Sequence, residues 1–177
     1  SELRRSLGLH RGAGTAREMG SGIVAYLAGL PLLAAGLAVS ALLATMLEGG
    51  ALPTDGSHPI TEALRGAGPG RFAFVIFLAS VVAPLLEETF FRGALYAHPR
   101  GSTSGLPRFL SVATSALLTG LLFAAVHPQS LVAIPALAAL GVTFAITREW
   151  RGSLIAPMTA HGLSNLLVLS LTWIALG

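Results

Sequence analysis

The chain has 177 residues, of which 53% are hydrophobic and 11% charged, and its mean hydropathy is +0.74. A soluble domain carries about 25% charged residues, so this composition excludes an ordinary water-soluble fold and indicates a protein whose solvent is the lipid bilayer. The net charge of +3 rests on 11 arginines, which we expect at the edges of membrane helices, so we expect no nucleic-acid binding.

The first element in chain order is a polar leader over residues 1–20, followed by an uncharged run over residues 21–47. That run exceeds the roughly 7–15 apolar residues of a signal-peptide core. It is also long enough for the ~20 residues that cross a bilayer, so we predict an accessory transmembrane helix. Residues 48–71 are rich in Gly and Pro and are predicted to form an extramembrane loop.

Four further apolar runs follow, and we predict that they form a four-helix core within residues 72–177. They cover residues 72–95, 109–126, 131–147 and 153–176. The predicted fold is therefore all-α, a polytopic membrane helical bundle of about five transmembrane helices. Small residues at helical spacing predict close packing between helices in lipid. The small residues form three stripes, each on one helix face: Gly120 with Ala124, Gly141 with Ala145, and Ala156 with Ala160 and Ser164.

The arginines predict the orientation of the bundle. If the amino terminus is cytoplasmic, only Arg65 and Arg71 lie on the opposite side. The arginines expected on the cytoplasmic side are Arg4, Arg5, Arg11, Arg17, Arg92, Arg100, Arg108, Arg148 and Arg151. Because positive charge concentrates on the cytoplasmic side, we expect an integral membrane protein with a cytoplasmic leader. The composition favours a bacterial inner membrane.

Two adjacent carboxylates, Glu87 and Glu88, interrupt the second predicted helix. A charged side chain near the centre of a membrane helix costs roughly 2.5–3.5 kcal/mol, so such residues usually mark a function. Glu88 and Arg92 are four residues apart and can pair on one helix face, which is the structural interpretation of both. Glu87 points about 100° away from Glu88 and is free to face another helix.

Two more pairs that contain polar residues stand at helical spacing on later segments: Phe123 with His127, and His161 with Asn165. Taken singly, each polar residue is explained by a hydrogen bond between helices. Together with Glu87 they supply a base for water and donors for an oxyanion, which amide hydrolysis requires. No cysteine is present, but a carboxylate with two histidines is also a common zinc-ligand set.

The order of these motifs resembles the CPBP family of intramembrane proteases, which includes prenyl-CAAX endopeptidases and bacterial relatives linked to bacteriocin handling. The pattern is E-E-x-x-x-R, then F-x-x-x-H, then H-x-x-x-N on successive apolar segments. Here these motifs are Glu87-Glu88 with Arg92, Phe123 with His127, and His161 with Asn165. The resemblance covers more than half of the chain, and its strength lies in the ordered trio.

The resemblance implies roles for these residues. Glu87 and His127 activate the attacking water, His161 and Asn165 stabilise the oxyanion, and Glu88 with its arginine partner braces the site. It is compatible with a metal-free glutamate mechanism and with a zinc enzyme, in which Glu87, His127 and His161 would be the ligands. No cofactor is therefore assigned.

We accordingly expect an intramembrane endopeptidase that cleaves a membrane-associated protein or peptide, such as a prenyl-CAAX-like substrate. Two alternatives stay open. The first is a catalytically silent scaffold or a bacteriocin-immunity-type binding protein, which keeps the polar cluster for packing. The second is a small proton-coupled carrier that uses the acidic and histidine side chains as a relay.

The predicted distances of Glu87 and His127 from the cytoplasmic ends of their helices differ. At 1.5 Å per residue, Glu87 lies ~15 Å from a helix end near Ala97, whereas His127 lies ~27 Å from Phe109. We therefore expect a strong tilt, a cytoplasmic protrusion of the third helix, or a kink at Pro84. A separation above about 10 Å between Glu87 and His127 would remove His127 from the catalytic set, because catalytic groups act within hydrogen-bond reach.

Overall fold

The computed structural model describes residues 2–47, 59–127 and 131–176, and these residues contain helices but no strand. Five of the helices are long and apolar enough to cross a membrane, as predicted. They are span 1 (Thr15–Leu47), span 2 (Pro69–Ser102), span 3 (Arg108–Ala125), span 4 (Leu131–Arg151) and span 5 (Ile155–Leu176). Shorter helices cover Glu2–Ser6 and Pro59–Leu64. The prediction of an all-α polytopic bundle is confirmed.

Several helices extend beyond their predicted bounds. Span 1 begins at Thr15 rather than at residue 21, so the polar leader supplies its first turns. Span 2 begins inside the predicted loop, at Pro69, and runs on to Ser102. The reason is that hydropathy detects only the apolar part of a helix, whereas backbone hydrogen bonding continues into polar residues outside the hydrocarbon region. Residues 48–58 of the predicted loop lie outside the described residues.

Span 2 is distorted around its two carboxylates. Two π-helical segments, Leu78–Val82 and Thr89–Leu95, enclose a short α-helical stretch, Ala83–Glu88. Pro84 has no N–H, so a carbonyl one turn earlier loses its intrahelical donor. The Asn165 amide of span 5 donates to the Ala79 carbonyl at 2.7 Å and satisfies that turn from outside the helix. Such π segments are frequent at functional sites.

Span 1 packs on spans 4 and 5 through glycines seven residues apart: Gly22, Gly29 and Gly36. A Cβ at Gly22 would clash with the Ala156 carbonyl, and one at Gly36 would lie 2.7 Å from the Pro135 carbonyl. Close packing of this kind drives helix association in lipid, where no hydrophobic force acts between helices. Span 1 is therefore packed closely against spans 4 and 5.

The predicted small-residue stripes lie at helix contacts. A Cβ at Gly141 of span 4 would lie 2.7 Å from the Cα of Gly120 in span 3, so these backbones touch. The other stripe residues are all buried: Ala124, Ala145, Ala156, Ala160 and Ser164. The prediction of close packing at these positions is confirmed.

One end of the bundle, which we call the arginine-rich end, carries Arg100, Arg108, Arg148 and Arg151 and receives the amino-terminal segment. There the Leu154 N–H donates to the Gly8 carbonyl at 3.0 Å. Glu18, fully buried, accepts two hydrogen bonds from Arg151 at 2.7 and 2.9 Å. These contacts fix the amino-terminal segment to the connection between spans 4 and 5.

Candidate active site

Glu88 is the centre of a buried polar network that joins three spans. Its side chain is 0% exposed, and its Oε1 accepts from Arg92 Nη1 and from His161 Nδ1, both at 2.9 Å. Arg92 also donates through Nη2 to the Gly141 carbonyl of span 4 at 2.8 Å. The predicted pair of Glu88 and Arg92 is therefore present, and it also orients His161.

Aromatic rings enclose this network. The Arg92 guanidinium carbon lies 4.7 Å from the ring centre of Phe123 and 5.3 Å from that of Phe144. The His161 ring stacks on Phe144 with 4.9 Å between ring centres and 17° between ring planes. Phe123 meets His161 edge-on at 5.6 Å. The rings restrict His161 to one orientation and exclude water from the ion pair.

Gly141 and Phe144 are part of the site but were missed by the sequence reasoning. Both lie on span 4, which carries none of the three motifs. A buried phenylalanine and a glycine among alanines are the usual content of a membrane helix interior, so composition gives no signal for either. Their spacing of three residues places them on one helix face, but this spacing acquires meaning only when the position of Arg92 is known.

Glu87 points to both histidines. Its Oε2 lies 3.7 Å from His127 Nε2 and 3.8 Å from His161 Nε2, and this oxygen is buried with no hydrogen-bond partner among the residues that the structure describes. The Glu87 side chain as a whole is 32% exposed. Side chains from span 2, span 5 and the residues just beyond span 3 therefore converge on one point.

Hydrogen bonds to the two Nδ1 atoms identify the histidine tautomers. His127 Nδ1 lies 2.6 Å from the Phe123 carbonyl, and His161 Nδ1 faces Glu88. Both partners are acceptors, so each neutral ring carries its proton on Nδ1 and presents a lone pair at Nε2. Two lone pairs and the Glu87 carboxylate oxygen thus face one another. The space between them suits a group that donates hydrogen bonds, such as water, or a cation.

The expected mismatch in depth between Glu87 and His127 is about halved by the length of span 2. With its end at Ser102 rather than near Ala97, Glu87 lies about 22 Å from the helix end at 1.5 Å per residue. His127 lies about 28 Å from Arg108, the first residue of span 3. The separation of 3.7 Å between Glu87 and His127 is well inside the limit of 10 Å, so His127 stays in the candidate set.

Asn165 makes a contact between helices that its predicted oxyanion role did not include. Its Nδ2 donates to the Ala79 carbonyl, so one of its two amide protons is used to hold span 2 against span 5. A Cβ at the neighbouring Gly162 would clash with the Ser80 carbonyl of the same distorted turn. Asn165 therefore has a structural contact, and its second proton is the one left for an oxyanion.

Comparison with known proteins identifies the family. Residues 69–167 match the model of the Rce1-like family, described as type II CAAX prenyl endopeptidase Rce1-like. The chain belongs to this CAAX protease family. The matched segment contains every candidate residue of the three motifs, from Glu87 to Asn165.

A curated relative of the CAAX protease family is the membrane-embedded CAAX protease MroQ of Staphylococcus aureus (strain USA300). It is 28% identical over 95 residues, which cover 54% of this chain and 38% of that protein. This chain thus aligns with well under half the length of that relative. No solved structure matches the chain.

The donor set of this CAAX protease family member has the composition of a zinc site: a carboxylate and two histidines whose Nδ1 atoms are held by acceptors. Among the residues that the structure describes, however, no group of three His, Cys, Asp or Glu side chains meets the requirements for holding a metal ion. The composition of the site fits zinc and its spacing does not. Zinc dependence therefore stays a question for chelation.

Proposed function

We propose that the chain is an intramembrane endopeptidase that hydrolyses a peptide bond of a membrane-associated substrate with a water activated by Glu87. The observation that supports this most is the convergence of Glu87 Oε2 with the Nε2 atoms of His127 and His161. A water placed there donates one hydrogen to the Glu87 carboxylate and the other to His127. That orients a lone pair of the water for attack, as a general base requires.

Glu87 can carry the proton through the whole reaction. The water oxygen attacks the carbonyl carbon, its proton passes to Glu87, and a tetrahedral oxyanion forms. Glu87 returns the proton to the leaving nitrogen as the C–N bond breaks, giving a carboxylic acid and an amine. The acid then gives its proton to the amine, so the final products are a carboxylate and an ammonium group. General acid–base catalysis of this kind contributes typically ~10²–10⁴ in rate.

Stabilisation of the oxyanion falls to span 5. In its neutral form His161 presents a lone pair at Nε2, so it acts as a donor only after it has taken one further proton from solvent onto that atom. The buried Glu88 carboxylate at its Nδ1 balances the resulting charge. The remaining amide proton of Asn165 is the second candidate donor. Loss of one oxyanion donor typically costs ~10²–10³ in kcat.

The surroundings of Glu87 support a substrate that arrives from the lipid. Leu86 and Phe90, which flank it on span 2, are 68% and 58% exposed, and both face outward where acyl chains would lie. A peptide carrying a lipid, such as a prenylated CAAX-like tail, suits this entrance. The arginine-rich end is proposed to face the cytoplasm of a bacterial cell, because positive charge favours that side.

The test is cleavage of a panel of fluorogenic peptides by the purified protein in lipid nanodiscs. The panel contains each CAAX-type peptide with and without its prenyl group. Glu87→Gln keeps the shape of the side chain but removes the base, so we expect a loss of ~10²–10⁴ in kcat/KM. The matched control, Glu62→Gln, alters an exposed carboxylate in a short helix outside the spans and should leave the rate unchanged.

Each protein is also assayed with a chelator and after addition of zinc. Activity that is lost in Glu87→Gln but kept under chelation supports the metal-free glutamate mechanism. Activity that chelation removes and zinc restores assigns the same three side chains to a metal. Undiminished cleavage by Glu87→Gln contradicts the proposal, and a phenotype that survives this substitution without any cleavage favours the silent scaffold.

A further inference from the structure

A cavity lies at the arginine-rich end, between span 2, span 4 and the amino-terminal segment that contains Ser6. Its volume is about 430 Å³, within the range of roughly 300–1,000 Å³ that small-molecule sites occupy. Glu87, His127 and His161 are not among the residues that line this cavity. The polar side chains of its wall include Arg92, Tyr96, Arg100, Arg148 and Glu149.

The lining carries more positive than negative charge. Glu149 is its one carboxylate, and Arg100 occupies both oxygens of that carboxylate at 3.1 Å. Arg92 is paired with Glu88 behind the wall. Each of these two arginines is thus neutralised by a carboxylate, and the excess positive charge belongs to Arg148.

Arg148 is held in place without a salt bridge of its own among the described residues, and Glu149 acts on its charge only from a distance. Its Nη2 donates to the Ser6 carbonyl at 3.0 Å, while its Nε is buried without a hydrogen-bond partner in the described part of the chain. Its guanidinium packs on Gly8, where a Cβ would lie 2.8 Å from the guanidinium carbon. A fixed, partly buried guanidinium beside an open cavity is suited to a phosphate, whose oxygens accept charge-assisted hydrogen bonds from arginine.

The depth of the cavity indicates where such a phosphate comes from. Trp150, two residues after Arg148, is 56% exposed, whereas Tyr96 in the cavity wall is buried and its hydroxyl donates to Glu149. Exposed tryptophan collects at the level of lipid headgroups. The position of Trp150 therefore favours a cavity that opens at the level of the phosphate layer.

We propose that this cavity binds the phosphate headgroup of an anionic phospholipid, with Arg148 as its main contact. Basic pockets between transmembrane helices on the cytoplasmic side bind anionic headgroups in this way. A lipid bound there bridges the amino-terminal segment, span 2 and span 4. The proposal does not depend on proteolytic activity, and its test does not use cleavage as a readout.

The test is native mass spectrometry of the purified protein after incubation with equal amounts of phosphatidylglycerol and phosphatidylcholine. The unmodified protein should retain phosphatidylglycerol in preference. Arg148→Gln should lower that retention about tenfold, because a charge-assisted hydrogen bond from a fixed arginine to the phosphate is lost. Arg17→Gln is the matched control, because it removes the same charge from an exposed position at the start of span 1 and should change nothing.

A second variant guards against misfolding of Arg148→Gln. A Cβ at Gly101, in the cavity wall, meets nothing within 4 Å, so Gly101→Glu introduces a carboxylate without displacing the backbone. It should also abolish the preference while leaving Tm unchanged. Equal losses in the Arg148 and Arg17 variants, or equal retention of both lipids, overturn the proposal. So does binding of inorganic phosphate as tight as that of phosphatidylglycerol, since the site would then serve a soluble anion.

Discussion

Replacing Arg92 by Met removes the ion-pair partner of Glu88, a carboxylate that is fully buried. Arg92 is 1% exposed and Glu88 is 0% exposed, so the substitution leaves a buried charge in a helix interior. Breaking a buried ion pair in this way costs about 3–5 kcal/mol. Because His161 Nδ1 still donates to the same carboxylate oxygen, we expect a loss at the lower end, about 3 kcal/mol.

The free energy of unfolding is measured by titration with SDS in mixed micelles. Arg92→Met combined with Glu88→Gln removes the stranded charge and should recover at least about 1 kcal/mol relative to Arg92→Met alone. Arg108→Met is the control, because its guanidinium is 81% exposed and 3.7 Å from its carboxylate partner, a pair worth at most about 1 kcal/mol. A double variant as unstable as the single one would refute the reasoning.

Two further substitutions test the packing and the distorted turn. Gly141→Ala should cost about 1–3 kcal/mol in the same titration, because the new Cβ would meet the backbone of Gly120. Gly105→Ala, with nothing within 4 Å of its Cβ position, should cost little, and equal effects would contradict this packing. Asn165→Ala should cost about 1–3 kcal/mol by leaving the Ala79 carbonyl unpaired. A loss of stability without a loss of kcat in the cleavage assay would make Asn165 purely structural.

The candidate residues could be predicted from the sequence because a polar side chain in a membrane helix costs free energy and is therefore rare unless it has a function. Glu87 and His127 stand out against apolar neighbours, and their spacing to Glu88 and Phe123 follows from helix geometry. Their mutual distance could not be predicted. It depends on the polar extension of span 2 to Ser102, which hydropathy does not detect.

Contacts between side chains of different helices also could not be predicted from the sequence. Phe144 orients His161 by stacking, yet its identity is ordinary for a buried helix. The contact of Asn165 with Ala79 requires both the missing N–H of Pro84 and the position of span 5 beside it. Pattern reasoning along one helix cannot supply the second condition.

The central claim is that Glu87 and His127 act together on one water, and a double-mutant cycle on kcat/KM tests it most directly. Glu87→Gln and His127→Ala should each lower kcat/KM, and the double variant should be about as slow as the slower single variant, because residues that act as a unit are non-additive. A double variant whose loss equals the product of the two single losses would show that the side chains act independently and would contradict the account.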